Sequence, residues 1–265
     1  MTPFQAIALA VIEGLTEFLP ISSTAHMKFA NPLLGVPNNA FTEMFEVVIQ
    51  FAAILSVITF YYKKFFDFKN IQFYLKLVVA VIPALVFGFL LKRHIDAALG
   101  NLQFIAFVMI GGGVLLLFID QLFIKQTIET QEAITFPKAL IIGCFQVISI
   151  VLPGFSRSAA TIVGGLSQKL TRNIAAEFSF FLAVPTMFAA SAKSLLDVYK
   201  ENPEVLIPEN FGLLGLGGIV AYIVALLAIK YFIGYVQKHG FKVFGYYRIL
   251  LGITVLALIY AGIIH

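Results

Sequence analysis

Six stretches of this chain are so long and so apolar that each needs a hydrocarbon-like environment along its whole length. They run approximately Phe45–Tyr62, Phe73–Leu91, Leu102–Phe123, Ala176–Leu196, Phe211–Phe232 and Tyr247–Ile264. About 20 residues of helix match the roughly 30 Å hydrocarbon core of a bilayer. With no water in that core, every backbone N–H and C=O must be satisfied within its own segment, which selects helices. The fold class is therefore all-α integral membrane, with six transmembrane helices in one domain spanning 1–265. Composition agrees, since 60% of the residues are hydrophobic and 12% charged, against about 25% charged in a soluble domain. No basic cluster interleaved with aromatics is present, so nucleic acid is not an expected partner; membrane lipid is. Trp is absent, which leaves the 10 Tyr to anchor the interfaces. The single Cys144 excludes an intrachain disulfide, and its apolar neighbours predict a packing role. Met1-Thr2-Pro3 lacks the basic start of a cleavable signal peptide.

Two further apolar regions are not simple spans. Phe4–Leu34 contains Glu13, Glu17, Pro20, Ser22-Ser23-Thr24 and His26, and Ala139–Leu170 contains Gln146, Pro153, Gly154, Ser156, Arg157, Ser158 and Thr161. Each reads as a short helix, a break marked by proline and a second short helix. Broken backbone at membrane depth persists only where protein or a polar cavity receives it, so both are predicted to be re-entrant helical hairpins. Glu13 precedes Pro20 by seven positions, as Gln146 precedes Pro153, and in that register Ser23 aligns with Ser156. Each hairpin is followed by three spans. Three is odd, so the halves (about 1–123 and about 138–265) are expected to form inverted-topology repeats whose broken helices meet at a polar site.

Loop charges give an orientation. One set of segments holds Lys63, Lys64, Lys69, Lys125, Lys138, Lys169, Arg172, Lys238, Lys242 and Arg248; the alternate set holds Lys28, Lys92, Arg93, Lys193 and Lys200, together with the acidic Glu201, Glu204 and Glu209. The first set is predicted cytoplasmic, which puts both termini outside. Asp120 and Asp197 lie near predicted span ends and are expected to reach water. His94, His239 and His265 are read as solvated.

The chemistry concentrates in the hairpins. Glu13 and Glu17, at i and i+4, share a helix face. Two carboxylates in an apolar setting repel each other and lose hydration, and a divalent cation bridged to phosphate would offset both. Ser22 and Ser23 open the next short helix as N-cap candidates. His26 follows Ser23 by three positions and is a candidate base, acid or nucleophile. In the second hairpin, Gly154 permits close backbone approach. Ser156 and Thr161 lie near a helix start whose free N–H groups suit an anion, and Arg157 adds a fork for phosphate oxygens. An arginine in an apolar segment otherwise needs a carboxylate, here Glu13 or Glu17. Glu46 and Glu177, near span starts, are weaker candidates.

The segments Glu13–His26 (EGLTEFLPISSTAH), Phe45–Gln50 (FEVVIQ), Gly143–Gln146 (GCFQ), Pro153–Thr161 (PGFSRSAAT) and Glu177–Pro185 (EFSFFLAVP) resemble the undecaprenyl-diphosphate phosphatase family, also called bacitracin-resistance proteins. Ala25 and Ala159 stand where that family often has glycine. The resemblance implies hydrolysis of undecaprenyl diphosphate to undecaprenyl phosphate and inorganic phosphate, in a multi-pass protein of the bacterial cell (inner) membrane. That activity recycles the lipid carrier of peptidoglycan synthesis and confers bacitracin resistance. The resemblance also implies dependence on a divalent cation (Mg²⁺ or Ca²⁺), a site opening to the outer face, and a homodimer as one form of the protein. By resemblance the functional set is Glu13, Glu17, Ser22, Ser23, His26, Ser156, Arg157 and Thr161. In this reading Glu13 and Glu17 hold the metal, Arg157 with Ser22, Gly154, Ser156 and Thr161 holds the diphosphate, and Ser23 and His26, with Glu13, Glu17 and Arg157, carry the chemistry. Ser23, His26 or an activated water remains the attacking group. The rival class is a lipid-phosphate flippase or small-anion transporter, which inverted repeats with broken helices would serve directly.

Overall fold

In the computed structural model of the chain, residues 1–67, 69–205 and 207–264 are described, apart from the side chains of Asp96 and Glu209. The expectations for His265 and for the Glu209 side chain lie outside the described residues. The chain forms twelve α-helices among the described residues: α1 (Pro3–Thr16), α2 (Ser23–Leu33), α3 (Ala40–Phe60), α4 (Tyr62–Phe65), α5 (Ile71–Leu90), α6 (Lys92–Leu99), α7 (Leu102–Leu122), α8 (Phe136–Val151), α9 (Arg157–Ser167), α10 (Arg172–Glu201), α11 (Pro208–His239) and α12 (Lys242–Tyr260). Six of them, α3, α5, α7, α10, α11 and α12, are long and apolar enough to cross a membrane. The short pairs α1–α2 and α8–α9 occupy the two regions where broken helices were predicted.

Local chemistry explains the starts. Thr2 and Gln5 form a reciprocal cap ahead of Pro3. Asn39, Asn70 and Asn101 cap α3, α5 and α7 by accepting from Thr42, Phe73 and Phe104 N–H. The last span begins earlier than predicted, at Lys242. The predicted window put Arg248 at its margin as a loop charge, whereas Arg248 lies within α12 and is fully buried. α10 and α11 also extend beyond their predicted windows, to 30 and 32 residues.

Helices pack through small residues, as helices in lipid do when backbones approach closely. A Cβ on Gly14 would meet the Ala221 carbonyl at 2.7 Å, so α1 lies directly on α11. Gly143 sets α8 against the Ala80 carbonyl of α5. Gly113 and Gly245 face each other's carbonyls across α7 and α12. Each short pair thus leans on the second long helix of the other half. Around them, Phe18, Phe180, Phe181 and Phe232 fill the core, and Phe4, Phe89, Leu90 and Tyr231 stand out on the periphery.

Two further expectations are corrected. Cys144 is exposed: it shares the outer face of α8 with Leu140 and Ile141, while Ala139, Ile142, Gly143 and Gln146 turn inward. Asp120 is engaged within the protein rather than left to water. Its side chain is 10% exposed, accepts from Arg172 Nε at 2.7 Å and accepts from Phe241 N at 3.0 Å. Asp197 is exposed and pairs with Lys193. His94 and His239 are exposed but lie within helices rather than loops.

Candidate active site

The site forms where the breaks of the two short pairs meet. Glu13 lies in the last turn of α1 and Glu17 at its end; both are buried. After the turn, Ser22 takes φ 71° and caps α2 by accepting from Ala25 N at 3.3 Å. In the second pair, Ser156 takes φ 81° and caps α9 by accepting from Ala159 N at 3.3 Å. A positive φ at a non-glycine residue costs on the order of 1–3 kcal/mol and persists only where the surroundings enforce it. The same strained cap in both pairs makes Ser22, not Ser23, the counterpart of Ser156. The seven-residue register slips by one because Gly154 adds a residue between Pro153 and the cap. Ala25 and Ala159 occupy equivalent helical positions, where glycine has no conformational advantage.

Ser23, freed from capping, is the first residue of α2. Its hydroxyl donates to Glu17 Oε2 at 2.5 Å. Arg157 Nη2 donates to Glu17 Oε1 at 3.1 Å, and Arg157 Nη1 to the Ser179 carbonyl at 3.0 Å. Glu17 therefore joins a serine of the first pair to the arginine of the second. Two buried polar atoms in the cluster lack a hydrogen-bonding partner, Glu13 Oε1 and Arg157 Nε.

His26 is not bonded to Ser23. Its Nδ1 lies 2.7 Å from the Ser22 carbonyl and its Nε2 lies 2.7 Å from the Tyr247 hydroxyl. Thr161 is fully buried one turn inside α9, with Oγ1 2.6 Å from Ser179 Oγ and 3.0 Å from the Arg157 carbonyl. It stands behind Arg157 and props the same Ser179 that Arg157 binds. Gly154, at φ 95°, brings its backbone against the Ile105 carbonyl, where a Cβ would lie at 2.8 Å. Glu46 accepts from Asn31 Nδ2 at 2.7 Å, and Glu177 accepts from Gln131 Nε2 at 3.3 Å.

Four residues were missed in the sequence. Ser158 Oγ donates to the Leu19 carbonyl at 2.7 Å, stitching the two breaks together. Ser179 supports both Arg157 and Thr161. Arg248 spends all five guanidinium hydrogens on carbonyls of three segments: Pro20 at 3.0 Å, Gly154 at 2.9 Å, Phe155 at 2.6 Å, Met109 at 3.2 Å and Val108 at 3.5 Å. Tyr247 holds His26. A signal existed for Arg248: an arginine inside an apolar run needs oxygen partners, and Gly111-Gly112-Gly113 leaves room for one. A Cβ on Gly112 would strike the Arg248 guanidinium.

The arrangement suits phosphoryl chemistry. It presents a buried hydroxyl on a buried carboxylate, a partly buried arginine fork and a helix N-terminus. A divalent cation fits the acidic pair. Glu13 Oε1 is a buried carboxylate oxygen with no partner, and each Glu17 oxygen has a second acceptor site beyond the bond it makes. Among the described residues no group of three or more His, Cys, Asp or Glu could hold a metal ion. The remaining ligands would be phosphate oxygens and water, as is usual for Mg²⁺.

A sequence model described as Bacitracin resistance protein BacA matches residues 6–254. A protein of Flavobacterium johnsoniae is 52% identical over 257 residues, covering 97% of this chain and 96% of its own length. One from Porphyromonas gingivalis is 47% identical over 279 residues, with 99% of each chain covered. A third, from Bdellovibrio bacteriovorus, is 45% identical over 264 residues, covering 99% and 98%. Each of the three is named undecaprenyl-diphosphatase.

Proposed function

We propose, for a chain that belongs to the bacitracin resistance protein BacA family, that it hydrolyses undecaprenyl diphosphate within the membrane to undecaprenyl phosphate and inorganic phosphate. The reaction returns the lipid carrier to cell-wall synthesis and underlies bacitracin resistance. The observation that carries this reading is the buried Ser23–Glu17–Arg157 chain, built from both breaks with contacts of 2.5 and 3.1 Å.

Ser23 Oγ attacks the terminal phosphorus while Glu17 Oε2 takes its proton. The bond from that phosphorus to the bridging oxygen breaks, and undecaprenyl phosphate leaves. Water then attacks the phosphoserine as its proton passes to His26, Glu17 returns the first proton to Ser23, and His26 releases its proton to solvent as inorganic phosphate leaves. Arg157 holds the equatorial oxygens beside the start of α9. Mg²⁺ or Ca²⁺, held by Glu13 and Glu17, would supply positive charge against the diphosphate. The bonding supports Glu17 rather than His26 as the partner of the serine, and a phosphatase name in every relative cited argues against mere transport.

The short pairs act as re-entrant hairpins of two inverted repeats. Three features support this: the matched strained caps at Ser22 and Ser156, the leaning of α1 on α11 and of α8 on α5, and the odd number of long helices after each pair. Both termini lie outside the bacterial inner membrane and the site opens to the outer face. Removing the buried Arg248 from the loop charges leaves their bias in the same direction.

Purified protein in detergent, given undecaprenyl diphosphate, is expected to release inorganic phosphate with a divalent cation and to stop on chelation. No release under either condition would overturn the reading.

A further inference from the structure

His26 is held at both ring nitrogens, and the two partners differ in kind. The Ser22 carbonyl only accepts, so Nδ1 carries a hydrogen whether the ring is neutral or protonated. The neutral ring then has its lone pair on Nε2, facing the Tyr247 hydroxyl at 2.7 Å. That hydroxyl donates to the neutral ring and, by rotating about its C–O bond, accepts from the protonated one. The rings lie nearly parallel, with planes 2° apart and centroids 5.6 Å apart. Tyr247 is placed by its neighbour: Arg248 is bound to the Pro20 carbonyl, so α12 grips the first break through two successive side chains.

We propose that Tyr247 relays the proton: its hydroxyl passes its own hydrogen to His26 Nε2 as it takes one from the attacking water, the Ser22 carbonyl having already set the Nδ1–H form. The hydroxyl serves both protonation states without moving a heavy atom, so the ring stays in place as it gains and loses the proton. A phenylalanine keeps the ring packing and removes this service. The inference rests on the phosphatase reading for its consequence in turnover, but its structural half stands apart from activity.

The test is Tyr247→Phe in the full-length protein, with two readouts. The ¹⁵N shifts of the His26 imidazole, assigned by their loss in His26→Gln, report which nitrogen carries the hydrogen. Wild type and Tyr247→Phe are both expected to show the Nδ1–H form, with the Nε2 resonance displaced in Tyr247→Phe by loss of the Tyr247 hydrogen bond. Steady-state phosphate release is expected to fall about 10-fold or more in kcat with KM within about twofold, and Tyr247→Phe added to His26→Gln should cost nothing further. Unchanged kcat would overturn the proposal, as would an unchanged Nε2 resonance or a further loss in the double variant. If the wild-type protein releases no phosphate, the phosphatase reading fails, while the NMR arm still decides whether the Tyr247 hydroxyl bonds Nε2.

Discussion

Gly111 and Gly112 are neighbours on one helix, yet replacing each with alanine should have opposite effects. A Cβ at Gly111 meets nothing within 4 Å. Alanine there gains helix propensity of about 1 kcal/mol, so Gly111→Ala should be neutral to slightly stabilising. A Cβ at Gly112 lies 2.9 Å from Arg248 Cζ and closer still to Nη2. The guanidinium must move, and it is fully buried with carbonyls on every donor. Losing one or two bonds from a charged donor costs about 1.5–3 kcal/mol each. Set against the propensity gain, Gly112→Ala should destabilise by about 0.5–5 kcal/mol. Because Arg248 ties Pro20 to Gly154 and Phe155, displacing it also loosens the two breaks against each other. Turnover should then drop at least ~10-fold in kcat/KM, about 1.4 kcal/mol at the transition state. Thermal unfolding in detergent and phosphate release, run on both variants in parallel, check this. Equal behaviour of the two variants would refute the view that Arg248 clasps the breaks.

Arg157→Lys keeps the charge but cannot reach Glu17 and the Ser179 carbonyl together; kcat/KM should fall at least ~10-fold, as measured by steady-state phosphate release. Glu13→Gln should abolish most turnover while leaving the melting profile near wild type, and it should weaken the cation dependence seen on titrating Mg²⁺ into chelated protein. In a Cys144→Ala background, a cysteine at position 204 should label from outside intact cells and one at position 240 should not; the reverse pattern would invert the topology.

The spans were legible because hydropathy is a property of each segment in its own solvent and needs no partner. The breaks were legible for the same local reason: Pro20 and Pro153 interrupt apolar runs, and Ser22 and Ser156 sit where caps belong. What the chain order hides is who meets whom. Ser23 seemed to belong with His26 at i+3, yet the strained backbone at Ser22 turns its hydroxyl to Glu17, six residues back across the turn. Thr161 looked like a ligand to the diphosphate, but a full helical turn carries it behind Arg157 onto Ser179, 18 residues away. Arg248 resembled a loop charge because its partners are carbonyls, which carry no residue-type signature, on segments as distant as Pro20. Tyr247 was hidden by its place 221 residues from His26.

The most direct measurement is a rapid acid quench of the enzyme turning over undecaprenyl diphosphate labelled in its terminal phosphate. Phosphoserine survives acid, so label should appear on Ser23 in the burst phase and vanish in Glu17→Gln, while His26→Gln should accumulate it because the hydrolysis half is slowed. Label lost in acid but retained in alkali would assign the attack to His26. Turnover with no covalent label at any time, and inversion at phosphorus, would contradict the serine mechanism outright.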